Sequence, residues 1–293
     1  MRGSFLHGKL AHFFVVLKQF NLHMKLLDLR KELKNIFNQH KIDEVDVDFI
    51  SAEVLGISKT ELVLIDEITK TQEKYIRENC NKRLNNMPVE KIFKRSYFFG
   101  LEFKVDENVL SPRPESEILV ETAIKYIKEN NYKTVLDMCT GSGCLAISVK
   151  KNVDVEMMAS DISSKALQIA KQNAKNNNVD IEFAKSDMFN NIDKKFDLII
   201  SNPPYIDSEE VKTLDKEVVN YDPLIALDGG EFGLKYYNII HNNLRKYLNE
   251  GGLLILEIGE DQKDLLTMLY NDFNLVECIK DYAGFDRVMV FKR

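Results

Sequence analysis

Thr134-Val-Leu-Asp-Met-Cys-Thr-Gly-Ser-Gly143 runs from an apolar segment into a glycine turn, and a helical pattern begins near Gly143. A short apolar run bounded by polar residues predicts a buried strand over Thr134–Met138. Gly141 and Gly143 permit a tight turn and a close approach of backbone to ligand where the helix starts. The turn is not the dinucleotide fingerprint, because Ala146 stands where the third glycine is required. It is not a P-loop either, since no Gly-Lys-Ser/Thr follows. A cofactor turn and a purely structural strand–turn–helix junction both remain open at this point.

Outward from this stretch, strands and helices alternate. Val155–Ser160, Ile181–Lys185, Phe196–Ile200 and Leu253–Ile258 are further strand candidates, with helical patterns beginning near Ser164 and Leu234. That rhythm predicts an α/β fold with a mainly parallel, doubly wound sheet. Leu275–Ile279, a turn at Ala283-Gly284 and Arg287–Phe291 read as a terminal antiparallel hairpin. Asp161 follows the second strand, where a carboxylate is placed to accept hydrogen bonds from ribose hydroxyls. The competing reading makes it the N-cap of the Ser163–Asn176 helix, a role that Ser163 or Ser164 could also fill. Met188 follows the next strand and either borders an adenine or belongs to the core.

Phe196–Ile200 leads through Ser201 into Asn202-Pro-Pro-Tyr205. In open α/β sheets ligands bind at the carboxyl ends of strands. Two prolines fix two φ angles and remove two N–H donors, and each holds the preceding residue extended. The loop therefore presents carbonyl oxygens between an amide side chain and a phenol, a combination suited to holding a planar NH2 group. A proline-stiffened turn without ligand is the alternative.

Residues 24 to about 90 read as a small α-bundle. Leu26, Leu29, Leu33, Ile36 and Phe37 recur at helical spacing, and further helices are expected over Val47–Leu55, Lys59–Ile65 and Lys70–Leu84. Tyr97–Phe99 and Glu102–Val105 flank Gly100 as a short hairpin, followed by the loop Leu110-Ser-Pro-Arg-Pro-Glu-Ser-Glu117 and a helix to about Lys128. In that loop Arg113 and Glu117 either close over a cofactor, contact the substrate, or form a structural salt bridge near the domain junction. The expected division is an extension over 1–23, a helical domain over 24–92, a hairpin linker over 93–110 and the α/β domain over 111–293.

With 44% hydrophobic and 29% charged residues among 293, the composition is that of a soluble globular protein. A net charge of −6 argues against a generic nucleic-acid binder. Cys80, Cys139, Cys144 and Cys278 form no CxxC pair, which disfavours a zinc site or disulfide framework and favours a reducing compartment. Leu10–Leu17 is too short to span a membrane, which takes about 20 apolar residues, and no small-residue cleavage pattern follows it. The first 23 residues are either a natural extension or an upstream start, with Met24 as the usual first residue.

Taken in order, these pieces resemble the class I S-adenosylmethionine-dependent methyltransferases, and Asn202-Pro-Pro-Tyr205 resembles the subset that methylates amide or exocyclic nitrogen. The Leu110–Glu117 loop, Ser186-Asp-Met-Phe189, Tyr221-Asp-Pro-Leu-Ile-Ala-Leu-Asp-Gly-Gly230 and the pair Asp281-Tyr282 with Arg287-Val288 are similar to the peptide-chain release factor N5-glutamine methyltransferase family. The resemblance covers roughly residues 24–293. It implies a Rossmann-like methyltransferase domain and a helical N-terminal domain that recognises substrate. Cys139, Thr140, Gly141, Ser142 and Gly143 would form the cofactor turn, Asp161 would take the ribose, and Met188 would border the adenine. Asn202, the catalytic residue, would lie beside the methyl donor. Asn202, Pro203, Pro204 and Tyr205 would bind the substrate glutamine.

The cofactor implied is S-adenosylmethionine without a metal. The partner implied is a release factor, with no direct nucleic acid and no membrane, for a cytoplasmic monomer. The family commonly has glycine at the position of Cys139 and an aromatic at that of Met188. The rival functions are adenine-N6 methylation of DNA, guanine-N2 methylation of ribosomal RNA, and a non-catalytic binding module that retains the fold.

Overall fold

The computed structural model describes residues 24–293, and the expectations for residues 1–23 lie outside them. Contacts divide the chain between Phe93 and Lys94. The first unit pairs β1 (Met24–Lys25) with β2 (Glu67–Ile68) and is otherwise helical, with α1 (Leu26–Gln39), α2 (Val45–Leu55), α3 (Lys70–Leu84) and α4 (Val89–Phe93). Leu26, Leu29, Leu33 and Phe37 lie on one face of α1 and are buried against Val47, Ile50 and Ile76. The α3 helix starts with a capping box: Gln72 N donates to Thr69 Oγ1 at 3.2 Å, and Thr69 N donates to Gln72 Oε1 at 2.9 Å. The helix expected over Lys59–Ile65 is a 3-10 helix over Lys59–Leu64.

The second unit opens with the hairpin β3 (Arg95–Phe98) and β4 (Leu101–Lys104), so the segment expected as a linker belongs to this unit. Phe98 and Phe103 are buried in its core. Asn173, fully buried, accepts from Lys104 N at 2.8 Å and donates to the carbonyls of Lys104 and Ser142 at 3.0 and 2.9 Å. This single side chain joins the hairpin to the glycine turn. Glu117 likewise serves the hairpin, since its Oε1 accepts from Phe99 N at 2.6 Å.

The sheet then builds through α5 (Glu117–Asn130), β5 (Thr134–Met138), α6 (Cys144–Asn152), β6 (Glu156–Asp161), α7 (Ser164–Asn176), β7 (Glu182–Lys185) and β8 (Phe196–Ser201). Two short helices, α8 (Ser208–Val211) and α9 (Lys216–Tyr221), precede α10 (Lys235–Tyr247) and β9 (Leu248–Glu257). The chain finishes with α11 (Lys263–Leu269), β10 (Asn274–Lys280) and β11 (Asp286–Lys292).

The seven strands lie in the order β10-β11-β9-β8-β5-β6-β7, with β9, β8, β5, β6 and β7 mutually parallel. Alternate side chains enter different cores, as a pleat requires. Val135, Leu198 and Ile255 pack with α5 and α6, whereas Leu136, Ile199 and Leu254 pack with Tyr237, Ile240 and Leu244 of α10.

The expected terminal hairpin forms, but β11 also pairs with β9 and so lies inside the sheet. The strand expected over Leu253–Ile258 begins earlier, at Leu248. The added residues Leu248–Gly252 are absorbed as a register shift against Phe196–Leu198. Asn249 Nδ2 is held there by Asp197 Oδ1 at 2.8 Å. After β5 the chain moves to β6 and β7, then returns to place β8 on the other side of β5. The crevice at the carboxyl ends of β5 and β8 is thus a topological switch point, the position where such sheets bind ligands. Among the described residues no helix is long and apolar enough to cross a membrane.

Candidate active site

Two cavities meet at the carboxyl ends of these strands. The first, with an open volume of about 730 Å³, is lined by Cys139, Gly141, Asp161, Met188, Asn202 and Pro204, among others. The second, of about 720 Å³, is lined by Asn202, Pro203, Tyr205, Arg113 and Glu257 together with apolar side chains. Asn202 borders both.

The glycine turn is built from inside. Thr140 Oγ1 donates to Asp137 Oδ2 at 2.5 Å, and Ala146 N donates to the same oxygen at 3.2 Å. Thr140 N donates to Ser160 O at 3.0 Å, binding the turn to the end of β6. Asp137 is fully buried, its Oδ1 without a partner among the described residues, and burial pushes its carboxyl up to about 7 against the pull of those two donors. Gly143 has φ +82°, and a Cβ there would meet Ile147 and Ala170 at 3.0 and 3.1 Å, so glycine is required by both conformation and space. Thr140, Ser142 and Gly143 therefore shape the turn, while Cys139 and Gly141 reach the first cavity.

Cys139 has φ +61°, the left-handed region that favours glycine. Its Sγ lies 3.9 Å from Met188 Sδ, and Met188 also has a positive φ, +48°. The two sulfurs form one wall of the first cavity. Met188 is buried in the core, as one of its two readings has it, and also lines the first cavity. Burial holds the Cys139 thiol well above its usual range, which removes it as a thiolate nucleophile.

Asp161 Oδ2 accepts from Gly141 N at 2.9 Å and Oδ1 from Ser163 N at 2.8 Å. Ser163, not Asp161, caps α7 by accepting from Ala166 N at 3.2 Å. The carboxylate thus ties the glycine turn to the α7 entrance and lines the cavity between them. Burial raises its carboxyl, opposed by the N–H groups of Ser163 and Gly141.

The Asn202–Tyr205 loop is anchored at both ends. Ser201 Oγ donates to Met138 O at 2.7 Å, and Asn202 Nδ2 donates to Ser116 Oγ at 3.3 Å. Gln262 Nε2 donates to Tyr205 O at 2.9 Å. Arg287 forms a buried pair with Asp281 at 3.0 Å and also faces the Tyr205 phenol, whose pKa burial raises.

Several residues of the site are not singled out by sequence reasoning. Pro223, Ile225 and Tyr236 line the first cavity and Val218 the second; the Tyr221–Gly230 stretch enters the sequence reading through the family resemblance alone, which gives none of these residues a role. Glu257 ends β9 inside the second cavity; an acidic residue closing an apolar strand was the available signal. Arg113 pairs with Asp222 at 2.8 Å at the wall of that cavity, so the ion pair is part of the site.

The model of the family described as PrmC N-terminal domain matches residues 28–93, and that of the Methyltransferase small domain matches residues 114–249. A release factor glutamine methyltransferase of Thermodesulfovibrio yellowstonii is 39% identical over 278 residues, covering 92% of this chain and 99% of the relative. One of Agrobacterium fabrum is 38% identical, covering 85% and 90%. A crystallised methyltransferase of Pyrococcus furiosus matches with a TM-score of 0.51 at 18% identity, over 73% of this chain and 98% of its own, a likeness of fold. Identity at this level, sustained along nearly the whole length of the relatives and through both units, shows that the chain belongs to the release factor glutamine methyltransferase family.

Proposed function

We propose that this enzyme transfers a methyl group from S-adenosylmethionine to the side-chain amide nitrogen, N5, of the glutamine in the Gly-Gly-Gln motif of peptide-chain release factors. The observation that carries the reading is the place of Asn202, which borders both cavities at the switch point. Its relatives are named for this activity.

The first cavity fits the cofactor. Each oxygen of Asp161 accepts one protein N–H and keeps a lone pair for a ribose hydroxyl. Met188, Ile162 and Ile225 offer apolar surface to a base. Cys139 and Gly141 are assigned as contacts, with Thr140, Ser142 and Gly143 holding the turn. When bound, S-adenosylmethionine supplies an electrophilic methyl group.

An amide nitrogen is a poor nucleophile because its lone pair is shared with the carbonyl, a resonance reflected in a rotation barrier of about 18–20 kcal/mol. In this reading Asn202 Oδ1 and the Pro203 carbonyl accept its two N–H bonds. Two fixed acceptors orient the nitrogen and favour the positive charge that develops as it attacks. Pro204 stiffens the strand end on the cofactor side, and Tyr205 lies against the amide plane. No general base is needed before the transition state, because the proton becomes acidic only after the N–CH3 bond forms. The mechanism uses no metal.

The helical unit, 24–92, is assigned to recognition of the release factor, which accords with its match to the PrmC N-terminal domain. The enzyme is read as a cytoplasmic monomer acting on protein, without direct nucleic-acid contact. The test is incubation with labelled S-adenosylmethionine and an intact release factor, its Gln-to-Ala variant at the Gly-Gly-Gln tip, or duplex DNA. Label confined to the intact release factor is expected; label in DNA, or equal label in the variant, overturns the reading.

A further inference from the structure

An asparagine amide has two ends of opposite chemistry. Turned one way Asn202 offers an acceptor oxygen to the second cavity, and turned the other way it offers two N–H donors that would repel a substrate NH2. The proposed function therefore demands that something fix the orientation. Asn202 Nδ2 donates to Ser116 Oγ at 3.3 Å. Behind this pair stands Glu257, only 2% exposed, at the carboxyl end of β9 and at the wall of the second cavity. Burial raises its carboxyl, and the nearby Ser116 hydroxyl, Arg287 charge and Asn202 amide oppose that rise. Oε2 has no partner among the described residues.

We propose that Ser116 and Glu257 are positioning residues for methyl transfer, presenting an acceptor-only surface that keeps the Asn202 nitrogen turned inward and its oxygen available to the substrate amide. A carboxylate has no proton to give an Asn oxygen, so the flipped amide would set oxygen against oxygen. The serine hydroxyl then has a single consistent arrangement, accepting from Asn202 and donating toward Glu257. Burial pushes the Glu257 carboxyl up to about 7, so the acceptor-only surface is complete above that pH and lost below it. The inference rests on the proposed function and extends it by two residues that come from the Pro-Arg-Pro-Glu loop and from β9. It also explains why that loop must reach the Asn202 loop: it brings the hydroxyl that bridges the two.

The experiment measures kcat on an intact release factor, the dissociation constant for S-adenosylmethionine, and the thermal midpoint. Glu257→Leu should lower kcat on the order of 10²-fold while cofactor affinity and melting temperature hold. Glu257→Gln should recover most of that loss, because its carbonyl can still accept from Ser116 and Asn202. Ser116→Ala should give a smaller fall in kcat, and Ser116→Thr should restore it. Full kcat in Glu257→Leu, or a Gln variant as inactive as the Leu variant, overturns the inference while the function stands. Wild-type protein that binds S-adenosylmethionine but labels no release factor overturns both.

Discussion

Gln262 Nε2 donates to the Tyr205 carbonyl at 2.9 Å, while its Oε1 accepts from Gly259 N at 2.9 Å, so one amide clamps the Asn202–Tyr205 loop to the turn after β9. Gly233 completes the clamp. A Cβ at Gly233 would stand 1.9 Å from Tyr205 O and 2.5 Å from Gln262 Nε2, at φ +67°. Gly233→Ala is therefore expected to displace the loop and cost roughly 1–3 kcal/mol in stability. Methyl transfer should fall more steeply than cofactor affinity, since Asp161 and the glycine turn are untouched. Calorimetric melting with parallel turnover and binding assays measures each; an unchanged turnover would contradict the clamp.

Asn202→Ala should abolish most methyl transfer and leave cofactor affinity within a few fold, because the proposed reading gives the ribose to Asp161 and the substrate amide to Asn202. Asp161→Ala should do the reverse, weakening cofactor binding directly and loosening Gly141, whose N–H it accepts. Titration calorimetry with S-adenosylmethionine separates the two. Equal loss of binding in both variants would refute the division of labour.

At position 139 the backbone asks for glycine and the chain supplies cysteine at φ +61°. Cys139→Gly should fold and retain cofactor binding. Cys139→Val places a β-branched side chain in a region it rarely adopts, with an expected loss of about 1–3 kcal/mol. Thermal melts of the pair check this. A valine variant as stable as wild type would show that the turn relaxes freely.

For Asp137 the folded carboxyl sits at about 7, against an ordinary range near 4. The folded ligand-free protein therefore holds a proton that the unfolded chain releases between those values. The resulting stability is fully present below about pH 4 and is lost as pH rises through about 7. The melting temperature should fall between about pH 5 and about pH 8, and Asp137→Asn should flatten that fall. Glu257 titrates in the same direction, so the variant removes part of the slope only. Identical slopes would mean that Asp137 is already charged when folded.

The alternation of apolar runs with helical patterns made the parallel sheet legible, because burial on both faces leaves near-continuous hydrophobic strands such as Leu198–Ile200. The glycine turn and Asn202–Tyr205 were legible because their backbone needs restrict residue type. The position of β11 was not, since periodicity gives a strand but not its neighbours. Glu257 and Ser116 escaped for a related reason: a buried polar residue is recognised by what surrounds it, and Ser116 meets Asn202 across 86 positions of chain. The roles of Pro223, Ile225 and Tyr236 escaped because irregular loops carry no period; the stretch was recognisable as a motif, but not as a wall of the first cavity.

The insertion of β11 between β9 and β10 has a consequence for synthesis. Strand β10 emerges first but has no place to dock until the strand after it arrives. A nascent chain halted before Asp286 would expose the edge of β9, with its row of unpaired amides and carbonyls, to any passing strand. Completion of the sheet is thus deferred to β11, which follows in sequence the strand it must seat. The outer half of the scaffold therefore forms out of sequence order, β11 seating on β9 before β10 can pair.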